Sequence, residues 1–420
     1  MEEKDRSRII LHADLNGFYA SVECLYHPEL RQKPVAVCGD AENRHGIILA
    51  KNEQAKRFGI KTGEAIWQAQ NKCPELVVLT ADYRKYIRFA HRARVIFSDY
   101  SDQVEPFGLD EAWIDVTGSA KLLGDGRKLA DQIRQRTLEE LGLTCSVGVS
   151  FNKIFAKLGS DLKKPDATTV LTRDNYQKTV WPLPVQMLLY VGPSTRRKLN
   201  RVGIQTIGGL AQLSLVDARR LLGQWGETLW LYARGLDTSP VRQSSVRDLI
   251  KSIGNSTTTP RDLKTEEEVH LIITVLSESV AARLREQGLR CRTVQISIRD
   301  THLITIERQR SMTQTTDLAR DLSRQAMQLF CEHWNWNSPI RSLGVRGCDL
   351  VTADRLEQLT LFEKADDYVR WKELEQTIDT IRRRFGHFSV QRALMLKDPG
   401  LSGFNPKEDH VIHPVSFMRP

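Results

Sequence analysis

Cysteine is sparse and unpatterned in this chain. The seven residues, Cys24, Cys38, Cys73, Cys145, Cys291, Cys331 and Cys348, are odd in number, scattered, and form no C-x-x-C pair. That excludes a disulfide framework and leaves no ligand spacing for structural zinc. Long apolar runs are missing too. None approaches the ~20 residues a membrane helix needs, so no membrane partner is expected. The charged start MEEKDRSR leads directly into the strand-like IILHADL, which is not a secretory signal pattern. A reduced, cytoplasmic location is the expectation. Internal repeats are absent, and the only biased patch is STTT at 256–259.

What is present is an ordinary globular composition over 420 residues, 40% hydrophobic and 27% charged, enough for two to four domains. The net charge of +9 is a weak pointer to a polyanionic partner. Its distribution says more. Seven arginines lie between Arg283 and Arg310 against three acids, Glu286, Asp300 and Glu307. RCRTVQISIRD and HLITIERQR alternate like two strands there, so the arginines either line a phosphate-binding sheet or guard a solvated edge.

Along the chain, residues 8–23 read as a strand turning into a helix. KPVAVCG is a second strand, GIILAKNEQAKRFGI a strand and a helix stopping at Gly59, and AIWQAQNKCPELVVL repeats that alternation. Residues 83–101 are helical, 105–116 read as paired strands, 126–140 as a helix, and TCSVGVS as another strand. This order suggests an α+β ferredoxin-like layer interrupted by an insertion near 24–80. Residues 176–236 turn into short helices, 250–349 alternate strands and helices, and the chain after about 352 is polar. It ends in a charged helix, WKELEQTIDTIRRRFG, and a turn-rich tail.

Chemistry gathers in the first of these segments. Strand alternation puts Leu11, Ala13 and Leu15 on one face and Ile10, His12 and Asp14 on the other. Asp14 is then a carboxylate ending an apolar strand. Asp110 and Glu111 pose the same problem inside EPFGLDEAWIDV. Such groups need solvent, a counter-charge or a cation. A lone acidic pair at a turn is also satisfied by water. If the two strands are neighbours, three carboxylates converge and suit Mg²⁺, two ions of which about 3.5–4 Å apart would clamp a phosphoryl transfer.

HADLNGFYASVE, PFGLDEAWIDVTG and VGVSFNKIFAKLGSDLKKP together resemble the signature of the Y-family, or translesion, DNA polymerases, in their bacterial polymerase IV and UmuC type. The resemblance runs from about residue 8 to 350. It implies a multidomain α+β right-hand polymerase with a ferredoxin-like palm (1–23 and 81–175), small fingers (24–80) and a helical helix-hairpin-helix thumb (176–240). An α/β little finger (245–350) and a C-terminal tail (351–420) would complete it.

The resemblance also implies roles. Asp14, Asp110 and Glu111 match the catalytic, metal-binding carboxylates, with the Leu15 carbonyl as a further ligand and two Mg²⁺ as cofactor. Tyr19 matches the steric gate that rejects a ribose 2′-hydroxyl by clash, with Phe18 beside it at the sugar or base. Lys164 and Lys56 would meet the triphosphate. Glu53 stands where many relatives have a grip on that triphosphate and is given no binding role. Gly108 and Leu109 replace a common serine and isoleucine. In the thumb, Gly192 would bind DNA backbone, while Tyr190 replaces a hairpin glycine in a position that needs backbone freedom. Arg290, Arg292 and Arg299 would follow DNA phosphates.

In QLTLF, the residues Gln358, Leu359, Leu361 and Phe362 resemble a sliding-clamp motif. The implied partners are primer–template DNA, deoxynucleoside triphosphates and the clamp, for a monomeric, error-prone polymerase of damage tolerance. A nucleotide cyclase on a similar palm and a non-catalytic DNA- or clamp-binding regulator are the alternatives. The hairpin and arginine segments argue against the first, and the intact carboxylates against the second.

Overall fold

The computed structural model describes residues 8–39, 46–243, 249–354 and 365–407. In the main, Met1–Gly39 and Ile47–Arg247 make one compact unit and Asp248–Ile412 another. The clamp-like residues 358–362 lie outside the described residues.

The first unit opens with β1 (Ile10–Leu15) and α1 (Phe18–Tyr26), followed by β2 (Val35–Cys38), β3 (Ile48–Lys51), α2 (Glu53–Arg57), α3 (Ile66–Lys72) and β4 (Val77–Thr80). Next come α4 (Tyr83–Ser98), β5 (Val104–Pro106), β6 (Glu111–Asp115), the short α5 (Ala120–Leu123), α6 (Gly126–Leu141), β7 (Cys145–Ser150), α7 (Lys153–Leu162) and β8 (Thr168–Leu171). The main sheet runs β5-β6-β1-β7-β8. Its first four strands have the central pairing of a ferredoxin-like layer, with β1 antiparallel to β6 and to β7. A separate sheet, β3-β2-β4, has its own small core of Ala36, Ile48, Ala55, Ile60, Ala69, Cys73 and Leu76.

The alternation along β1 is real. Leu11, Ala13 and Leu15 pack with Phe89, Ile96, Leu129 and Ile133 of α4 and α6. Ile10 faces the other way, onto Trp113 and Ala156. That opposite face carries His12 and Asp14 towards α7.

Residues 176–233 form short helices: α8 (Tyr176–Val180), α9 (Pro193–Arg201), α10 (Ile207–Gln212), α11 (Leu215–Leu222) and α12 (Gln224–Ala233). Polar side chains start two of these helices. Thr206 caps α10 through Gly209 N at 3.1 Å, and Ser214 caps α11 through Asp217 N at 3.1 Å. Gly223 at φ +69° ends α11 and opens α12.

The second unit holds β9 (Ser252–Leu263), α13 (Glu266–Glu286), β10 (Leu289–Asp300), β11 (Thr305–Thr316), α14 (Ala319–His333) and β12 (Ile340–Thr352). The sheet order is β11-β10-β12-β9, all antiparallel. Val294, Ile296 and Ile298 of β10 face the core with α13 and α14. A register shift between Cys291 and Thr293 lets Cys291, an odd-numbered residue, share that face. Residues 365–407 of the polar tail are folded as well: α15 (Ala365–Phe385) and α16 (Pro399–Ser402) belong to this unit.

Candidate active site

Antiparallel register sets Asp14 directly opposite Glu111 on one side and opposite Ser146 on the other. Leu15 N donates to the Asp110 carbonyl at 2.9 Å, which ties the end of β1 to the turn before β6. Glycine matters here twice. Gly108 sits at φ +86°, so it answers a backbone requirement of that turn rather than a need for space. At Gly148 an added Cβ would lie 1.9 Å from Ala156 O and 2.5 Å from Ser160 N, so α7 rests directly on β7.

That close approach delivers α7 to the carboxylates. Asn152 caps α7, accepting from Phe155 N at 2.8 Å. One turn later Lys157 Nζ lies 2.7 Å from Glu111 Oε2, 3.1 Å from Asp14 Oδ2 and 3.3 Å from Asp161. Lys164 Nζ is 2.7 Å from Asp14 Oδ2 and 2.8 Å from Asp161. Its loop is held by Asp166 N donating to Asn16 Oδ1 at 2.8 Å. Burial opposes the charge on both lysines, yet the surrounding carboxylates outweigh it and raise both pKa values.

The carboxylates remain in excess. Burial, then Glu111 and Asp14, push the Asp110 carboxyl up to about 7. His12 is fully buried; burial and then Lys157 drive its pKa down to about 3, so the ring is neutral. Its Nδ1 shares a hydrogen bond with Ser160 Oγ at 2.9 Å, and its Nε2 lies 3.2 Å from Glu111 Oε2. The buried Glu111 Oε2 is thus met by the Lys157 ammonium and faced by the neutral His12 ring. Donor atoms of His12, Asp14 and Glu111 all fall within 4.8 Å of one another. Carboxylates that outnumber the two lysines set against them, with Asp14 and Glu111 oxygens close together, fit a divalent cation such as Mg²⁺.

Beside the carboxylates, Tyr19 stacks on Tyr86 at 4.2 Å and 9° and meets Tyr83 edge-on at 5.9 Å. Tyr86 donates to buried Glu23 at 2.7 Å, and Lys85 pairs with the same carboxylate at 2.9 Å. Burial, then Tyr83 and Asp110, raise the Tyr19 pKa, so the phenol stays neutral. Phe18 is buried against Tyr19 at 5.6 Å.

Other residues singled out in the sequence are placed elsewhere. Lys56 Nζ contacts Glu53 at 2.5 Å, so the departure at position 53 supplies a counter-charge to the lysine. Gly192 is the exposed N-cap of α9, and Tyr190 has φ +68°, the left-handed region expected of the glycine it replaces. Arg292 and Arg299 are exposed on β10. Arg290 is separated from them: its guanidinium lies over the Tyr368 ring of α15 at 5.5 Å.

Sequence reading passed over two participants. His12 was visible as a member of the Asp14 face but carried no role. Lys157 stands 143 residues from Asp14, and its only local sign was its i,i+4 spacing to Asp161.

Comparison with known proteins agrees with this arrangement. Residues 13–161 match the impB/mucB/samB family model, and residues 250–361 match the model of that family's C-terminal domain. A DNA polymerase IV of Acetivibrio thermocellus is 54% identical over 397 residues, covering 94% of this chain and 99% of that protein. DNA polymerase IV 2 of Bacillus subtilis is 37% identical over 402 residues, covering 94% and 96%. A solved Y-family DNA polymerase chimera of Dbh and Dpo4 superposes with a TM-score of 0.72 at 21% identity, over 82% of this chain and 99% of that one. The fold is therefore a multidomain α+β polymerase fold. Family models, relatives of near-equal length and topology agree, and the chain belongs to the impB/mucB/samB family of Y-family DNA polymerases.

Proposed function

We propose that this chain is a template-directed DNA polymerase that extends primers past damaged bases, at low fidelity. The carrying observation is the convergence of Asp14, Asp110 and Glu111 at one end of the sheet, with Lys157 and Lys164 set against them. In this reading residues 1–23 and 81–175 are palm, 24–80 fingers, 176–240 thumb, 245–350 little finger and 351–420 tail.

The reaction forms a bond from the primer 3′-oxygen to the α-phosphorus of a deoxynucleoside triphosphate and breaks the bond to pyrophosphate. Asp14, Asp110, Glu111 and the Leu15 carbonyl would hold two Mg²⁺, which supply positive charge to an anionic transition state. Lys164 has the position and charge to turn from Asp14 to the triphosphate, and Lys56 to turn from Glu53. Tyr19, braced by Tyr83 and Tyr86, would leave no room for a 2′-hydroxyl, with Phe18 packed behind it. Gly192 of the thumb, and Arg292 and Arg299 of the little finger, would meet DNA phosphates. Arg290 would contribute only if it left Tyr368.

The apolar residues of QLTLF, with Gln358 beside Leu359, Leu361 and Phe362, would tether a monomeric enzyme to a sliding clamp in the cytoplasm. Replacing Leu361 and Phe362 by alanine should lower clamp affinity and leave distributive synthesis unchanged; an unaltered titration refutes the motif.

Primer extension on undamaged and abasic templates, with Mg²⁺ and single deoxynucleotides, tests the whole proposal. Metal-dependent extension that vanishes in Asp110→Ala is expected. Tight DNA binding without extension would favour the non-catalytic regulator.

A further inference from the structure

Two hairpins of the first unit carry aromatic rings at their tips. One leads through Tyr190 and Gly192 into α9; the other leads from α11 through Gly223 and Trp225 into α12. Tyr190 is 53% exposed and Trp225 58% exposed, with ring centroids 5.7 Å apart. Tyr232 backs the pair, 6.5 Å from Tyr190. Folding does not account for these rings. Their burial is half what a core residue gains, and Tyr190 keeps a backbone conformation that a side chain disfavours.

The surroundings are cationic. Arg196, Arg197, Lys198 and Arg201 are all exposed on α9. Neighbouring α11 adds exposed Arg220 and Arg219, the latter paired with Glu227 at 2.6 Å. An apolar platform beside a basic helix complements a polyanion that also presents apolar faces. Nucleic acid has that chemistry: phosphates for the guanidinium groups, sugar and base faces for the rings.

We propose that Tyr190 and Trp225 form an aromatic platform that packs on sugar and base faces of bound primer–template DNA and adds a salt-independent share to its affinity. This rests on the polymerase reading above. The two kinds of contact separate by their salt response. Phosphate contacts release counterions and set the slope of log affinity against log salt, about 0.9 per phosphate, whereas ring contacts displace the line without tilting it.

The test is primer–template affinity of the full chain across a salt series for wild type, Tyr190→Gly, Trp225→Ala, the double variant and Arg196→Ala. Tyr190→Gly supplies the residue that φ +68° favours, so its thermal midpoint should hold or rise and misfolding is separately detected. Each aromatic variant should bind about fivefold more weakly at every salt concentration, on a line parallel to wild type. Arg196→Ala should flatten the slope. Coincident lines for wild type and the double variant would overturn the platform, as would a changed slope without displacement. Failure of the polymerase reading would show differently, as wild-type protein that does not extend a primer.

Discussion

Two buried charge clusters, one in each unit, are built on opposite plans. In the second unit, α15 docks through a balanced network. Glu278 meets Arg382 at 2.9 Å and Arg392 at 2.5 Å; Arg285 meets Glu375 at 2.6 Å and Asp379 at 2.7 Å. Glu375 also accepts from Ala319 N at 3.0 Å, and Asp317 from the Tyr368 hydroxyl at 2.8 Å. With Lys372 at 3.9 Å from Asp317, four carboxylates there meet four cations. In the first unit, Asp14, Asp110, Glu111 and Asp161 face two lysines and a neutral histidine, four carboxylates against two cations. A closed network fixes a helix in place, whereas an undercompensated one holds its charge for something not yet bound.

Single substitutions should expose this contrast. The largest effect expected is on catalysis: Asp110→Ala should lower single-nucleotide incorporation by at least about a thousandfold, measured in single-turnover extension. The same change should raise the thermal midpoint. A carboxyl whose folded pKa stands near 7, above its ordinary 3.8, costs stability increasingly as pH rises between those values and fully above them. A lower midpoint at pH 8 would place Asp110 with the closed network.

Glu375→Ala should lower the stability of the second unit by about 1–3 kcal/mol in denaturant unfolding, because Arg285 would keep Asp379 alone of its two carboxylates and Ala319 N would lose its acceptor. A loss under 1 kcal/mol would mean that this network is ornamental.

Saturating Mg²⁺ should stabilise the first unit by about 3 kcal/mol at a hundredfold excess over its dissociation constant and leave the second unit's transition unmoved. Equal shifts in Asp110→Ala and wild type would remove the metal assignment.

The smallest effect concerns selection. Tyr19→Ala should raise the ratio of ribo- to deoxynucleotide incorporation roughly ten- to hundredfold. Tyr86→Phe, which keeps the ring but loses the hydroxyl's bonds to Glu23 and to Asp82 N, should raise it less. An unchanged ratio in Tyr19→Ala would exclude it as the gate.

Much of the fold was legible because it is written in local periodicity. The period-2 pattern of β1 put His12 and Asp14 on one face, and helix and strand signals ordered the elements through residue 171. Gly59 at φ +71° and Tyr190 at φ +68° show that turn chemistry was legible too. The charged helix of the tail was visible as a helix, but not its docking partner. Arg290, Arg292 and Arg299 were grouped as one phosphate-binding row, and α15 separates the first from the others.

The amino-acid sequence by itself determined which residues carry charge, which strands alternate, where turns need left-handed backbone, and hence the class of fold. Tertiary structure alone decided which charges meet. Asp14 and Glu111 face each other through antiparallel register, and Lys157 reaches both because Gly148 lets α7 lie on β7. The reason is physical: backbone preference acts over a few residues, whereas desolvation and Coulomb attraction depend on distance in space, which only the packed chain sets.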